Sequence, residues 1–215
     1  MTPSSLPARG ADRLARQLAF LDAVDALKRV RRASRITDDE HPGGGRHENS
    51  AEHSWHVALF AEILAEHANE PIDTARVVRM LLVHDIVEID VGDTPLHGAQ
   101  PVDKAEREAA AAARLFALLP GDQRDTLEAL WHEFESGTGI EARFARAIDR
   151  LQPMRLNAAN RGGTWNDYAV GEQQLRERTG HIAVGAEPLW AHCEALIAQA
   201  IDEGWLTASA PDQAR

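Results

Sequence analysis

The chain has 215 residues, 44% of them hydrophobic, and a formal net charge of −11. That length suits one substantial core and a single domain spanning 1–215, and no apolar run approaches the length of a membrane span. The acidic balance argues against a nucleic-acid polymer or a membrane surface as partner, because both are met through basic patches.

The opening stretch MTPSSLPARGADRLARQLAF lacks the apolar centre of a signal peptide, since Arg13 and Arg16 interrupt it. A lone cysteine, Cys193, excludes an intramolecular disulfide and reads as buried structure. These features favour the cytoplasm.

Helical periodicity dominates and strand-like alternation is scarce, so the expected fold is all-α, a bundle of about seven helices without a credible sheet. The first helix is predicted from about Asp12 to Val30, with Leu14, Leu18, Leu21 and Val24 on one face. The basic run Lys28, Arg29, Arg31, Arg32, Arg35 follows at its end. TDDEHPGGGRHEN (37–49) reads as a loop on its Pro and Gly content. Its glycine run lacks the Gly-Lys-Ser/Thr ending of a phosphate-binding loop, which favours a flexible flap.

Ser50 is predicted as the N-cap of a helix through Trp55, Leu59 and Ile63 to about His67, with Trp55 in the core. Pro71 and Asp73 mark the next start, and that helix is predicted to run unbroken to about Ile89, with Gly92 and Pro95 ending it. KAEREAAAAARLFALL (104–119) is strongly helix-forming and closes at Pro120-Gly121. Asp122 is predicted to cap a helix reaching about Glu135. Another runs from about Glu141 to Asn157, and a last one, about 187–204, packs on the core.

The stretch LLVHDIVEIDVGDTP (81–95) breaks the apolar pattern. His84 and Asp85 sit side by side among Leu81, Val83, Ile86 and Val87. A buried carboxylate beside an imidazole is unfavourable unless something pairs with both. His53, in a helix's first turn, and Asp149, inside another apolar helix, have the same character. Two imidazoles and two carboxylates form a mixed N/O set that suits a divalent transition metal better than Mg²⁺. Taken singly, each also fits a plainer role, as a hydrogen-bonded core histidine or a capping aspartate, and His56 is an alternative ligand.

HENSAEHSWHVAL (47–59), LLVHDIVEIDVGDTP (81–95) and ARAIDRLQP (145–153) together resemble the His…His-Asp…Asp signature of the HD-domain metal-dependent phosphohydrolases. The resemblance is nearest to the branch that includes the bacterial 5′-deoxynucleotidases. LEALWHEFESGTGIEARFARAID (127–149) shares it, so it covers most of residues 27–157.

The resemblance implies an all-α HD domain and one divalent ion (Mn, Co, Fe, Ni, Zn or Mg) held by His53, His84, Asp85 and Asp149. It implies that Glu88 and Asp93 are catalytic and that Arg32 binds the phosphate of a small phosphorylated substrate, such as a nucleoside 5′-monophosphate. It also implies a homodimer. Arg35, Arg46 and Lys104 are candidate further contacts to an anionic substrate. Those relatives carry a tryptophan shortly after the arginine, where this chain has Ala33, Ser34 and Arg35, so their sugar discrimination is not carried over.

Two other readings compete. A di-metal HD protein, a phosphodiesterase or di-iron oxygenase, would need further histidines such as His97 and His132. A ligand-binding module without chemistry would have lost a ligand or Glu88.

Overall fold

A computed structural model describes residues 8–41 and 43–209. Seven helices of ten or more residues dominate the described chain: α1 (Ala8–Val24), α2 (Ser50–Leu64), α3 (Thr74–Val83), α5 (Lys104–Phe116), α6 (Gly121–Ser136), α7 (Ile140–Ala159) and α11 (Glu187–Asp202). Each matches one predicted helix. Short helices α4 (Glu88–Val91), α8 (Thr164–Asp167), α9 (Glu172–Thr179) and α10 (Ile182–Gly185) were not expected, nor was the 3₁₀ character of the turns 25–29 and 65–67.

The fold centres on α7. Phe144, Ala145, Ala147, Ile148 and Leu151 are fully or almost fully buried, and α2, α3, α6, α10 and α11 pack around this helix. A continuous core runs from Phe20 to Leu206. Pro153 lies inside α7 and has no N–H, so the carbonyl of Asp149 loses its usual helical partner.

Three helix starts show how local chemistry sets boundaries. Asn49, not Ser50, caps α2: its side chain accepts from the Glu52 N–H, and Glu52 returns a bond to the Asn49 N–H. This reciprocal box is worth about 1 kcal/mol. Asp73 caps α3 as expected, accepting from the Arg76 N–H. Asp122 does not cap α6; Pro120 holds the cap position, and Asp122 takes two bonds from Arg13 at 2.7 and 2.8 Å.

The first helix departs from its predicted orientation. Leu14, Leu18 and Leu21 are exposed, while Arg16 bonds to the connection between α5 and α6, and Arg13 and Gln17 bond to the first turn of α6. Among the apolar residues of α1 whose burial is described, Phe20 alone is deeply buried. Trp55 is likewise exposed rather than core.

Helix α3 does not run unbroken to Ile89. It stops at Val83, and bonds from the N–H of Ile86 to the Val83 carbonyl and of Glu88 to the Asp85 carbonyl tighten the chain by one residue per turn. A small antiparallel ribbon also forms where none was expected, pairing β1 (Arg31–Arg35) with β2 (His47–Asn49). Arg32 therefore lies on a strand and not on the end of α1. The two-residue period turns Arg32 and Ser34 inward from β1 and Glu48 inward from β2.

Candidate metal centre and phosphate pocket

Helices α2, α3 and α7 pack against one another, and each brings polar residues to their junction. His53 comes from the first turn of α2, His84 from the end of α3, and Asp149 from the middle of α7. Ligand atoms of these three lie within 4.8 Å of one another, and all three residues are buried. His53 Nε2 is 3.0 Å and His84 Nε2 3.5 Å from Asp149 Oδ1. Asp85 adjoins them, with Oδ1 3.0 Å from His84 Nε2 and Oδ2 3.8 Å from His53 Nε2.

The donor set fits a divalent cation. His84 Nδ1 is 2.7 Å from the Leu81 carbonyl and must donate to it, so Nε2 is the nitrogen at which a proton or a metal ion is exchanged. That Nε2 is buried without a hydrogen-bond partner. Burial pulls the His84 pKa down, but Asp85 and Asp149 outweigh it and hold the imidazole up at about 9. The site thus favours positive charge at Nε2. Burial raises the Asp149 carboxyl, but Arg150 and the two imidazoles beside it overcome it and hold it well below the usual range.

Arg32 enters from β1 and meets a ring of carboxylates. Its Nη1 lies 2.6 Å from Asp85 Oδ2, 3.6 Å from Asp93 Oδ1 and 3.7 Å from Glu88 Oε1. Burial lowers its pKa, but those three groups and Asp149 raise it further, so the guanidinium is permanently charged. Glu88 opens α4, and Ser50 Oγ donates to its Oε2 at 2.5 Å. Burial first, then Asp85, pushes Glu88 up to about 8. Gly92, with φ of 77°, closes α4 through a bond from its N–H to the Glu88 carbonyl. That conformation, natural to glycine, turns Asp93 back toward Arg32.

Arg32, His84, Asp85, Glu88, Asp93 and Asp149 line a cavity of about 250 Å³. Lys104 lines it too and lies 3.6 Å from Glu108. Arg35 and Arg46 are not in its wall. Arg35 bonds the Gly45 carbonyl and approaches Asp167, and Arg46 holds Glu52 at the surface. Among the other candidates, His97 lines the cavity, whereas His132 is exposed and sits edge-on to Trp131. His56 lies behind the cluster, 3.3 Å from Gln152 Nε2.

Several wall residues escaped sequence reasoning: Arg146 and Arg150 from α7, and Trp165 and Tyr168 from the 160–170 stretch. The arginines follow a helical face that includes Asp149 and were readable in principle. Trp165 and Tyr168 lie in turns and a four-residue helix, where no periodicity exists to read.

The family model for the HD domain matches residues 24–190, which include every residue of the cluster and of the carboxylate ring. The chain belongs to the HD-domain family. A solved structure described as a predicted metal-dependent phosphohydrolase from Magnetospirillum magnetotacticum MS-1 superposes with a TM-score of 0.86 at 46% identity, covering 91% of this chain and 96% of that one.

Among curated proteins, the 5′-deoxynucleotidase HDDC2 of Bos taurus is 33% identical over 77% of this chain and 78% of its own length. The Homo sapiens protein of the same name is 32% identical, and the match spans 63% of each. A fungal 5′-deoxynucleotidase, hdd1 of Schizosaccharomyces pombe, is 28% identical over 64% of this chain and 70% of its own length.

Proposed function

We propose that the protein is a divalent-metal-dependent phosphomonoester hydrolase acting on a nucleoside 5′-monophosphate or a similar small phosphate ester. One observation carries this reading: His84 Nε2, buried and unpartnered, faces Asp85 and Asp149 in the wall of a cavity that Arg32 also lines. The names of the relatives, deoxynucleotidases and a metal-dependent phosphohydrolase, support the same chemistry.

We assign His53, His84, Asp85 and Asp149 as ligands of one ion. A divalent cation held there supplies charge for a phosphate oxygen and activation of a water. Arg32 binds the phosphoryl group, exchanging part of its contact with Asp85 for the substrate; Lys104 adds charge at the cavity wall. Asp93 orients the attacking water. Glu88, kept protonated near neutral pH by burial and Asp85, gives its proton to the leaving oxygen. Positioning and charge neutralisation carry most of such a reaction.

Continuity of the core from Phe20 to Leu206 supports one domain. No described helix is long and apolar enough to cross a membrane. Cys193 is buried and free, with its thiol pushed up to about 12 by burial, which suits the reducing cytoplasm. An exposed apolar row on α2, Trp55, Leu59 and Ile63, supports a homodimer.

Phosphate release from a panel of nucleoside monophosphates and p-nitrophenyl phosphate, with Mn²⁺, Co²⁺, Mg²⁺ and Zn²⁺ in turn, tests the proposal. The expected result is metal-dependent release from at least one nucleotide. No release with any pairing would overturn it.

A further inference from the structure

Behind His53 lies a buried polar chain that the reaction does not use. Gln152, fully buried on α7, donates from Nε2 to Glu48 Oε1 at 2.7 Å. A second bond from the same NH₂ group meets His56 Nδ1 at 3.3 Å. A carboxylate accepts and does not donate, so the amide orientation is dictated: Nε2 faces Glu48 and Oε1 faces away. Oε1 lies 3.1 Å from His53 Nδ1. A carbonyl oxygen accepts only, so His53 must carry its proton on Nδ1. Its Nε2, 3.0 Å from Asp149 Oδ1 and 3.8 Å from Asp85 Oδ2, is then the nitrogen left to a metal ion, which would replace any proton shared with Asp149.

Glu48 itself needs a cation to be tolerated at 3% exposure. Its Oε2 and Arg32 Nε are both buried without hydrogen-bond partners and face each other at 3.8 Å. Oε2 is also 3.6 Å from His53 Nδ1. Orientation therefore passes along one chain: Arg32 neutralises Glu48, Glu48 sets Gln152, and Gln152 sets the tautomer of His53.

We infer that Glu48 and Gln152 are positioning residues that hold His53 ready for a metal ion. The inference rests on the metal-site reading above. Partners behind a ligating histidine commonly alter metal affinity ~10–100-fold when removed. Gln152→Leu removes the acceptor for Nδ1–H. Glu48→Gln keeps the shape but lets either end of both amides face the other, so the orientation of Gln152 is no longer dictated. The double variant Glu48→Gln/Gln152→Glu reverses the polarity: an amide at 48 donates to a carboxylate at 152, which still accepts from His53.

Calorimetric titration of the metal-stripped full chain with Mn²⁺, alongside the thermal midpoint of the stripped form, tests this. Gln152→Leu is expected to raise the Kd ~10–100-fold, Glu48→Gln to raise it in the same direction, and the double variant to bring it back toward wild type. A loss of packing alone would lower the thermal midpoint in all three variants and would give no recovery in the double one. Wild-type Kd in both single variants overturns the inference while leaving the metal site standing, and so does a double variant that binds no better than Glu48→Gln. A wild-type chain that binds no Mn²⁺, Co²⁺ or Zn²⁺ overturns both.

Discussion

The hydroxyl of Ser50 donates to Glu88 Oε2 at 2.5 Å, joining the first residue of α2 to the first residue of α4. Both side chains are buried, so the bond holds the Glu88 carboxyl in one orientation while its other oxygen faces Arg32. A single buried hydrogen bond contributes about 0.5–1.5 kcal/mol. Ser50→Ala should therefore lower kcat about 2–10-fold, with KM and bound metal unchanged. Steady-state phosphate release and elemental analysis together check this; wild-type kcat would remove the positioning role.

Asp85 and Glu88 should separate cleanly by mutation. Asp85→Ala deletes an anionic group 3.0 Å from His84 Nε2 and should abolish metal binding and turnover together. Glu88→Gln keeps the bond from Ser50 and the shape of the site but removes the titrating proton. It should retain metal while kcat falls by about 10²–10⁴. Metal content measured beside kcat distinguishes the two; full turnover in Glu88→Gln would dismiss its role.

Two histidines away from the cluster should make the fold sensitive to acid. Burial, then Arg178 and Arg150, holds His97 down to about 4. Burial, then Arg150 and Arg146, does the same to His181, against weaker opposition from Asp149. Their ordinary value is about 6.5. Between these values the unfolded chain binds protons that the folded chain does not, so stability is full above about pH 6.5 and declines as the pH falls toward 4. The thermal midpoint of wild type should drop across that window, and His181→Gln should flatten the drop. An unchanged slope in the variant would count against the assignment.

The row Trp55, Leu59, Ile63 gives the homodimer a definite surface. Ile63→Glu places a charge on an exposed position, where the monomer tolerates it, but would bury that charge in an interface. Light scattering after size exclusion should report a dimer for wild type and a monomer for the variant, with equal helicity. A monomeric wild type, or a dimeric variant, would exclude this surface.

What sequence reasoning reached depended on how local each signal was. Asp73 and the alanine-rich 104–119 stretch act within a turn or two of the chain, and the helix starts they predict recur in the structure, although α5 ends at Phe116 and Gly92 closes α4 instead of α3. His53, His84, Asp85 and Asp149 stand out because a polar residue within an apolar helix needs a partner, and the motif they form extends over nearly a hundred positions. The tightened turn after Val83 was not readable, because LLVHDIVEID has uninterrupted helical character. Nor was the ribbon of Arg31–Arg35 and His47–Asn49, since RRASR has no strand pattern and gains its register only from pairing Arg35 with His47 and Arg31 with Asn49, across the intervening loop.

The sequence by itself determined the all-α class, the seven long helices and the identities of the residues that gather at the centre, because helical period and buried polarity are written locally. Only tertiary structure decided which way those residues face. Packing turned α1 outward at Leu14, Leu18 and Leu21, since Arg16 found partners between α5 and α6, and Arg13 and Gln17 found theirs in the first turn of α6. It also seated Glu48 against Arg32 and Gln152 against His53. A hydrogen bond between residues 99 or 104 positions apart leaves no periodicity in the chain. It exists only once burial has removed water as the competing partner.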